Sequence, residues 1–216
     1  MTSLSEGSGA APNRLERRKR RTRAALVRAA QRLIAEGRFS VPVVEITQAA
    51  DVGMGSFYNH FDSKEQLFDA AVADVLDTHG ALLDHLTADF EDPAEVFATS
   101  FRLTGRLFRQ HPQHSEIFLT SGPALLSPDR GLAPRALRDI EAAFAAGRFR
   151  VGDPCSALAL AGGALLGLGA LLREDRRRDG AAAADTMAEN LLRLFGLDAA
   201  EAHALCRRPL PDLDAA

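Results

Sequence analysis

The strongest constraint on the fold is punctuation: short acidic or hydroxyl-bearing starts recur along the chain, each followed by helix-forming residues. Ser63-Lys64-Glu65-Gln66 has the form of a capping box, in which serine takes the backbone N–H three residues on and glutamine reaches back. Asp92-Pro93-Ala94-Glu95, Asp153-Pro154 and Asp198-Ala199-Ala200-Glu201 repeat the grammar, with an acceptor at the cap and proline where no helical N–H is needed. Apolar residues then return at helical spacing. Helices are predicted over about 15–36, 43–50, from Ser63 past Leu76, 93–110, 112–120, 134–146, from Asp153 to about Arg173, 182–195, and briefly after Asp198. Gly37 and Gly196 follow helices where a left-handed C-terminal cap is needed. No alternating strand competes, since GRFRV at Gly147–Val151 is too short to build a sheet. The predicted fold class is all-α.

Composition agrees. With 46% apolar residues in 216, one Tyr and no Trp, the chain can bury one good core or two small helical ones. A net charge of −3 alone suggests no polyanionic partner, but the charge is uneven. Residues 1–30 hold eight Arg or Lys against Glu6 and Glu16, a surplus of six positive charges, so the other 186 residues carry −9. A basic arm (Arg17, Arg18, Lys19, Arg20, Arg21 and Arg23) on an acidic body suits nucleic acid, with a merely solvated tail as the alternative. Cys155 and Cys206 make no disulfide framework, which fits a reduced cytoplasmic setting and structural rather than redox thiols. Residues 1–13 are small and polar, predicting a disordered tail and not a secretory signal. Ser156–Leu172 is uncharged and near the lower length limit for a membrane span. Its Ala/Gly content and the flanking Asp153 and Glu174 favour a packed helix, so no membrane partner is expected.

Gly53–Leu67 reads GMGSFYNHFDSKEQL. On a helical wheel Met54, Phe57, Tyr58 and Phe61 fall on one side, and Gly55, Ser56, Asn59 and His60 on the other. The phenylalanines anchor a small core, while the opposite face is short and hydrogen-bonding. Behind Val43–Ala50 and the turn Asp51-Val52-Gly53, this has the geometry of a helix-turn-helix, with small residues allowing close approach of the backbone to DNA.

The stretch resembles the TetR/AcrR family of bacterial transcriptional regulators. The likeness runs from Thr22-Arg23 through Ala29-Ala30, Gly37, Phe39, Ile46, Ala50 and Val52. It closes with Gly55-Ser56-Phe57-Tyr58 and His60-Phe61-x-Ser63-Lys64-Glu65-x-Leu67. Over residues 15–77 it implies Gly55, Ser56 and Asn59 on the groove-facing side of the recognition helix, Tyr58 and His60 at phosphates, and Lys64 at the backbone. Val44, Thr47, Gly53 and Met54 complete the expected DNA-contacting set. For Tyr58 the plain alternative is a rim residue of the core, and for His60 a helix-end cap. Three departures bear on the operator. Val41-Pro42-Val43 stands where relatives often have a threonine, Val44 where some have a base-reading arginine, and Asp51 where glycine is common. The implied organisation is a tail (1–13), a helix-turn-helix domain with its basic arm (14–62), and a helical ligand-binding and dimerisation domain (63–216).

Within the last part, Gly162, Gly163, Gly167 and Gly169 cost about 2–4 kcal/mol of helix propensity, so packing must offset them. Ala159, Gly163, Gly167 and Ala170 form a small-residue stripe. Together with Met187, Leu191 and Leu194 of the later helix, it is the expected dimer interface, a position the family likeness also implies; an internal core helix is the alternative. Phe97, Phe101, Thr104 and Phe108, with Ser100 beside them, suit an apolar ligand pocket or plain core; the family's effector sites lie among such middle helices. Arg102, Arg106 and Arg109 on the opposite face read as solvated. His111-x-x-His114 with Glu116 is weak as a metal site, and no catalytic constellation appears, so neither cofactor nor enzymatic activity is expected. The reading is a homodimeric, cytoplasmic repressor, released from a palindromic double-stranded DNA operator by a small-molecule effector. A helical small-molecule-binding protein or enzyme using the C-terminal pocket is the alternative.

Overall fold

The structure, a computed structural model, describes residues 14–110, 117–119 and 131–212. All regular structure among them is helical: α1 (Arg14–Ala35), α2 (Val43–Ala49), α3 (Met54–Tyr58), α4 (Lys64–Leu86), α5 (Pro93–Gln110), α6 (Ala133–Ala145), α7 (Pro154–Glu174), α8 (Gly180–Leu194) and α9 (Ala199–Arg207). The expected tail (1–13), and His111, His114 and Glu116, lie outside the described residues. Of the helix expected over 112–120, only 117–119 is described, and it is helical.

The caps work as their chemistry requires. Ser63 Oγ accepts from Gln66 N–H at 3.1 Å, and Gln66 Oε1 accepts from Asp62 N–H at 2.6 Å. Asp92 accepts from Ala94 N–H (3.0 Å), Asp153 from Ser156 N–H (2.9 Å) and Asp198 from Glu201 N–H (2.8 Å). One start lies earlier than expected: Asp179 accepts from Ala181 and Ala182 N–H, so α8 begins at Gly180. Gly37 (φ 71°) and Gly196 (φ 103°) hold the left-handed C-caps.

Leu26, Ala30 and Ile34 of α1, Ile46 of α2, Phe57, Phe61 and Leu67 are buried together as the head core. α4 belongs to both halves. It packs on α1 near its start and carries buried Val75, Leu76, His79 and Leu83 onward into the body. There α5 is the central helix, packed on α6, α7, α8 and α9. Phe97, Phe149 and Phe195 meet with centroids 5.2–5.5 Å apart and pin the loop after α6 to the end of α8.

The arginine face of α5 is not solvated. Arg102 is 3% exposed. Its Nε donates to Asp185 Oδ1 at 2.8 Å, and its Nη1 to the Arg208 carbonyl at 3.0 Å. Arg106 donates to both oxygens of Asp185, at 2.8 and 3.1 Å, and Arg109 to the Asp175 carbonyl at 2.6 Å. α8 and α9 lie over this face, which the spacing within α5 cannot reveal. Burial pushes the Asp185 carboxyl up, but the hydrogen bonds from Arg106 and Arg102 outweigh it and hold the group below the usual carboxylate range. Cys206 lies on the buried side of α9, and burial pushes its thiol up to about 11, so it stays protonated and unreactive at neutral pH.

Candidate nucleic-acid interface and ligand cavity

Two short helices and one strained residue build the head. Between α2 and α3 the chain turns at Asp51, whose φ of 54° is left-handed; a short polar side chain tolerates this where most would not. Phe57 is fully buried and meets Tyr58 edge-on at 5.2 Å, so the tyrosine is turned outward and is 59% exposed. Val44, Gly53, Met54, Gly55 and Asn59 are also exposed, while Ser56, His60 and Lys64 are half-buried. Met54 and Tyr58 thus leave the inward side the wheel gave them, because α3 is only five residues long and Phe57 and Phe61 alone fill the space beneath. A Cβ added at Gly53 or Gly55 would meet nothing within 4 Å, so the start of α3 is open to a close partner. Thr47 drops out of the expected contact set: it is buried, and its hydroxyl donates to the Val44 carbonyl at 2.9 Å.

The basic arm forms the start of α1, within the helix expected over 15–36, and Arg17, Arg18, Lys19, Arg20, Arg21 and Arg23 are all exposed on it. Its charge reaches the head. Arg23 lies 5.1 Å from the Phe61 ring centroid. Burial, then the Arg23 and Lys19 charges, hold the His60 imidazole below its usual range, leaving it neutral beside two cations.

In the body, α4, α5, α6 and α7 line a partly open cavity of about 80 Å³. Leu83, Phe97, Phe101, Leu132, Leu158 and Leu165 give it an apolar wall, and Asp84, Ser100, Thr104, Arg135 and Asp139 supply the polar groups. For scale, a dry cavity of about 150 Å³ accommodates benzene, so this space is smaller than one ring requires and must widen to admit one. Four residues expected to line a pocket do so: Phe97, Ser100, Phe101 and Thr104. Phe108 lies outside it, packed on Phe118 at 6.2 Å and tight against the backbone of Gly169.

Thr104 donates its hydroxyl proton to the Ser100 carbonyl (2.7 Å), so it accepts from His79 Nε2 at 2.9 Å. The other polar groups were not legible in the α5 pattern, since they come from α4 and α6. Arg135 Nε donates to Asp84 Oδ2 (2.8 Å) and Nη1 to the Gly131 carbonyl (2.8 Å), while Arg138 Nη2 bridges Asp84 Oδ1 and Asp139 Oδ1, each at 2.7 Å. Burial pushes the Asp139 carboxyl up, and the Arg138 contacts only partly hold it back. The one available sequence signal was Arg135-x-x-Arg138-Asp139 on an otherwise Ala-rich helix.

The expected dimer stripe divides. Ala159, Gly163, Gly167 and Ala170 are exposed along α7, beside Leu160 (50%) and Leu171 (37%). On α8, Leu194 is 60% exposed and Met187 half-buried, but Leu191 is buried in the chain's own core and unavailable to a partner. Among the described residues, α7 is the one helix long and apolar enough to cross a membrane, with a mean hydropathy of 2.0 and only 33% buried.

Residues 26–71 match the family described as bacterial regulatory proteins, tetR family, and residues 92–208 match the tetracyclin repressor-like C-terminal domain. The chain belongs to the tetR family of bacterial regulatory proteins. It is a transcriptional regulator with a helix-turn-helix head and a helical ligand-binding body. Among solved structures, that of RolR in complex with its ligand resorcinol is 34% identical, with a TM-score of 0.75 over 91% of this chain and 98% of that one. RolR without ligand gives 34% identity and a TM-score of 0.74 over 88% and 99%. A TetR-family regulator from Shewanella sp. PV-4, at 15% identity, shares the fold with a TM-score of 0.67 over 82% and 99%. No curated protein matches the chain.

Proposed function

We propose that this regulator is a homodimeric repressor that holds a palindromic operator with two α3 heads and releases it when a small hydroxylated ring occupies the cavity. One observation carries the effector class. The cavity sets carboxylate, guanidinium and hydroxyl groups in an apolar wall, and the relative that is 34% identical across most of both chains binds resorcinol, a single ring with two hydroxyls. The exposed apolar face of α7, with its close-packing glycines, supports pairing of two copies, since monomers seldom leave such a surface to water. Tyr58, Lys64 and the exposed start of α3 are the DNA contacts, and the arginines of α1 add phosphate attraction that weakens with salt.

The ligand acts by linkage: it must prefer the state that cannot hold DNA. The test is an anisotropy titration with the duplex upstream of the protein's own gene. Tight, salt-dependent binding is expected, weakened in Tyr58→Ala and Lys64→Ala and reversed by resorcinol. Equal affinity for random duplex at the same salt, or a bound fraction unmoved by resorcinol, would overturn the reading.

A further inference from the structure

Three walls of the cavity are tied to one another, and the fourth is held by packing alone. α4 is hydrogen-bonded to α5 through His79 and Thr104 at 2.9 Å. It is bonded to α6 through Asp84, which accepts from Arg135 Nε at 2.8 Å and from Arg138 Nη2 at 2.7 Å. α5 is tied in turn to α8, by Arg102 and Arg106 on Asp185. The fourth wall, α7, has no polar side chain between Ala157 and Leu172, so its side chains hold it there only by apolar contact. Such contact is non-directional, whereas the ties of the other walls fix distance and angle.

The hold on α7 is also uneven along its length. Its second half is seated on α5: a Cβ at Gly105 would lie 3.0 Å from Leu168 Cδ2, and one at Gly169 would lie 2.7 Å from Phe108 Cε1. In the first half, Leu158, Ala161, Gly162 and Leu165 face Phe97 and Phe101 of α5 across the cavity. A ring can enter only if that gap grows, because about 80 Å³ is roughly half the cavity that benzene fills. The wall able to give is the first half of α7, swinging about its seat at Gly169. The back of that half is the uncovered face. Ala159, Leu160, Gly163 and Gly167 are exposed there, on the side of the helix opposite Leu158, Ala161 and Leu165.

We propose that α7 is the yielding wall of the cavity and that ligand and partner copy compete for its position: an occupied cavity pushes α7 outward and loosens the dimer. This rests on the readings of the cavity as the effector site and of the exposed side of α7 as the pairing face. Linkage makes the effect reciprocal, so pairing weakens the ligand just as the ligand weakens pairing. A loosened dimer loses the advantage of gripping a palindrome with two joined heads, which gives release a route through the interface.

Calorimetric titration with resorcinol tests this on the full-length protein and on two variants of the outward face, Leu160→Glu and Gly167→Leu. Light scattering follows the mass and circular dichroism the folding. Neither residue lines the cavity. Both variants should run as monomers and bind resorcinol about fivefold or more tightly than the wild-type dimer does, the lower end of coupling between sites. Either variant decides the matter if the other fails to fold. Folded monomers that bind resorcinol with wild-type affinity, or more weakly, overturn the competition and leave the effector site standing. Variants that stay dimeric overturn the pairing face, and the proposal with it. Wild type that binds no resorcinol takes the proposal down for a different reason, by removing the effector reading beneath it.

Discussion

His79 Nε2 stands 2.9 Å from the Thr104 hydroxyl, so the helix that leaves the DNA-binding head is hydrogen-bonded to a wall of the cavity. Both residues are buried, and the hydroxyl proton is committed to Ser100, which makes the imidazole the donor. Thr104→Val keeps the volume and removes the acceptor. It should cost about 1–3 kcal/mol in a urea melt, with Thr104→Ser close to wild type.

Gly55 separates folding from DNA binding. A methyl group there meets nothing inside the chain, and alanine is the better helix former by about 1 kcal/mol, so Gly55→Ala should melt at or above the wild-type temperature. If α3 lies in a groove, the same methyl group sits in the contact, and operator affinity by anisotropy should fall about tenfold or more.

His60 makes DNA binding pH-dependent. In the free protein its pKa is depressed by burial and by the Arg23 and Lys19 charges, so it is neutral at pH 7. An approaching phosphate favours the imidazolium and raises that pKa, so binding takes up a proton and affinity should increase as the pH falls from 8 to 6. His60→Gln should flatten the slope of log affinity against pH over that range.

Two glycines of α7 should fail in different assays. At Gly167 an added Cβ finds no neighbour within 4 Å, whereas at Gly169 it lies 2.7 Å from Phe108 and Leu119 side-chain atoms. Gly169→Ala should lower thermal stability, by about 1–3 kcal/mol from overpacking, without changing the oligomeric state. Gly167→Leu should keep a cooperative melt yet shift light-scattering mass from dimer toward monomer.

Local rules made much of the fold legible in the sequence. Ser63, Asp92, Asp153 and Asp198 announce their helices because a cap depends only on residues a few positions away. The same holds for Asp51, whose turn requires a residue able to go left-handed. What escaped depends on which helix covers which face. Arg102 reads as solvated until α8 brings Asp185 to it, and Leu191 reads as a partner contact until α8 turns it inward. In the cavity, Phe97, Ser100, Phe101 and Thr104 share one helix and so share a period. Asp84 and Asp139 lie on two helices 55 positions apart, and only tertiary packing brings them to one arginine.

Tyr58 is the chain's only tyrosine, there is no tryptophan, and it stands 59% exposed on the head. The molecule therefore carries a single intrinsic fluorophore of any strength, placed on the head that would meet DNA and remote from the cavity, whose aromatic lining is phenylalanine. Its emission can be followed without a dye, and any change that reaches it from an occupied cavity has passed from the body into the head.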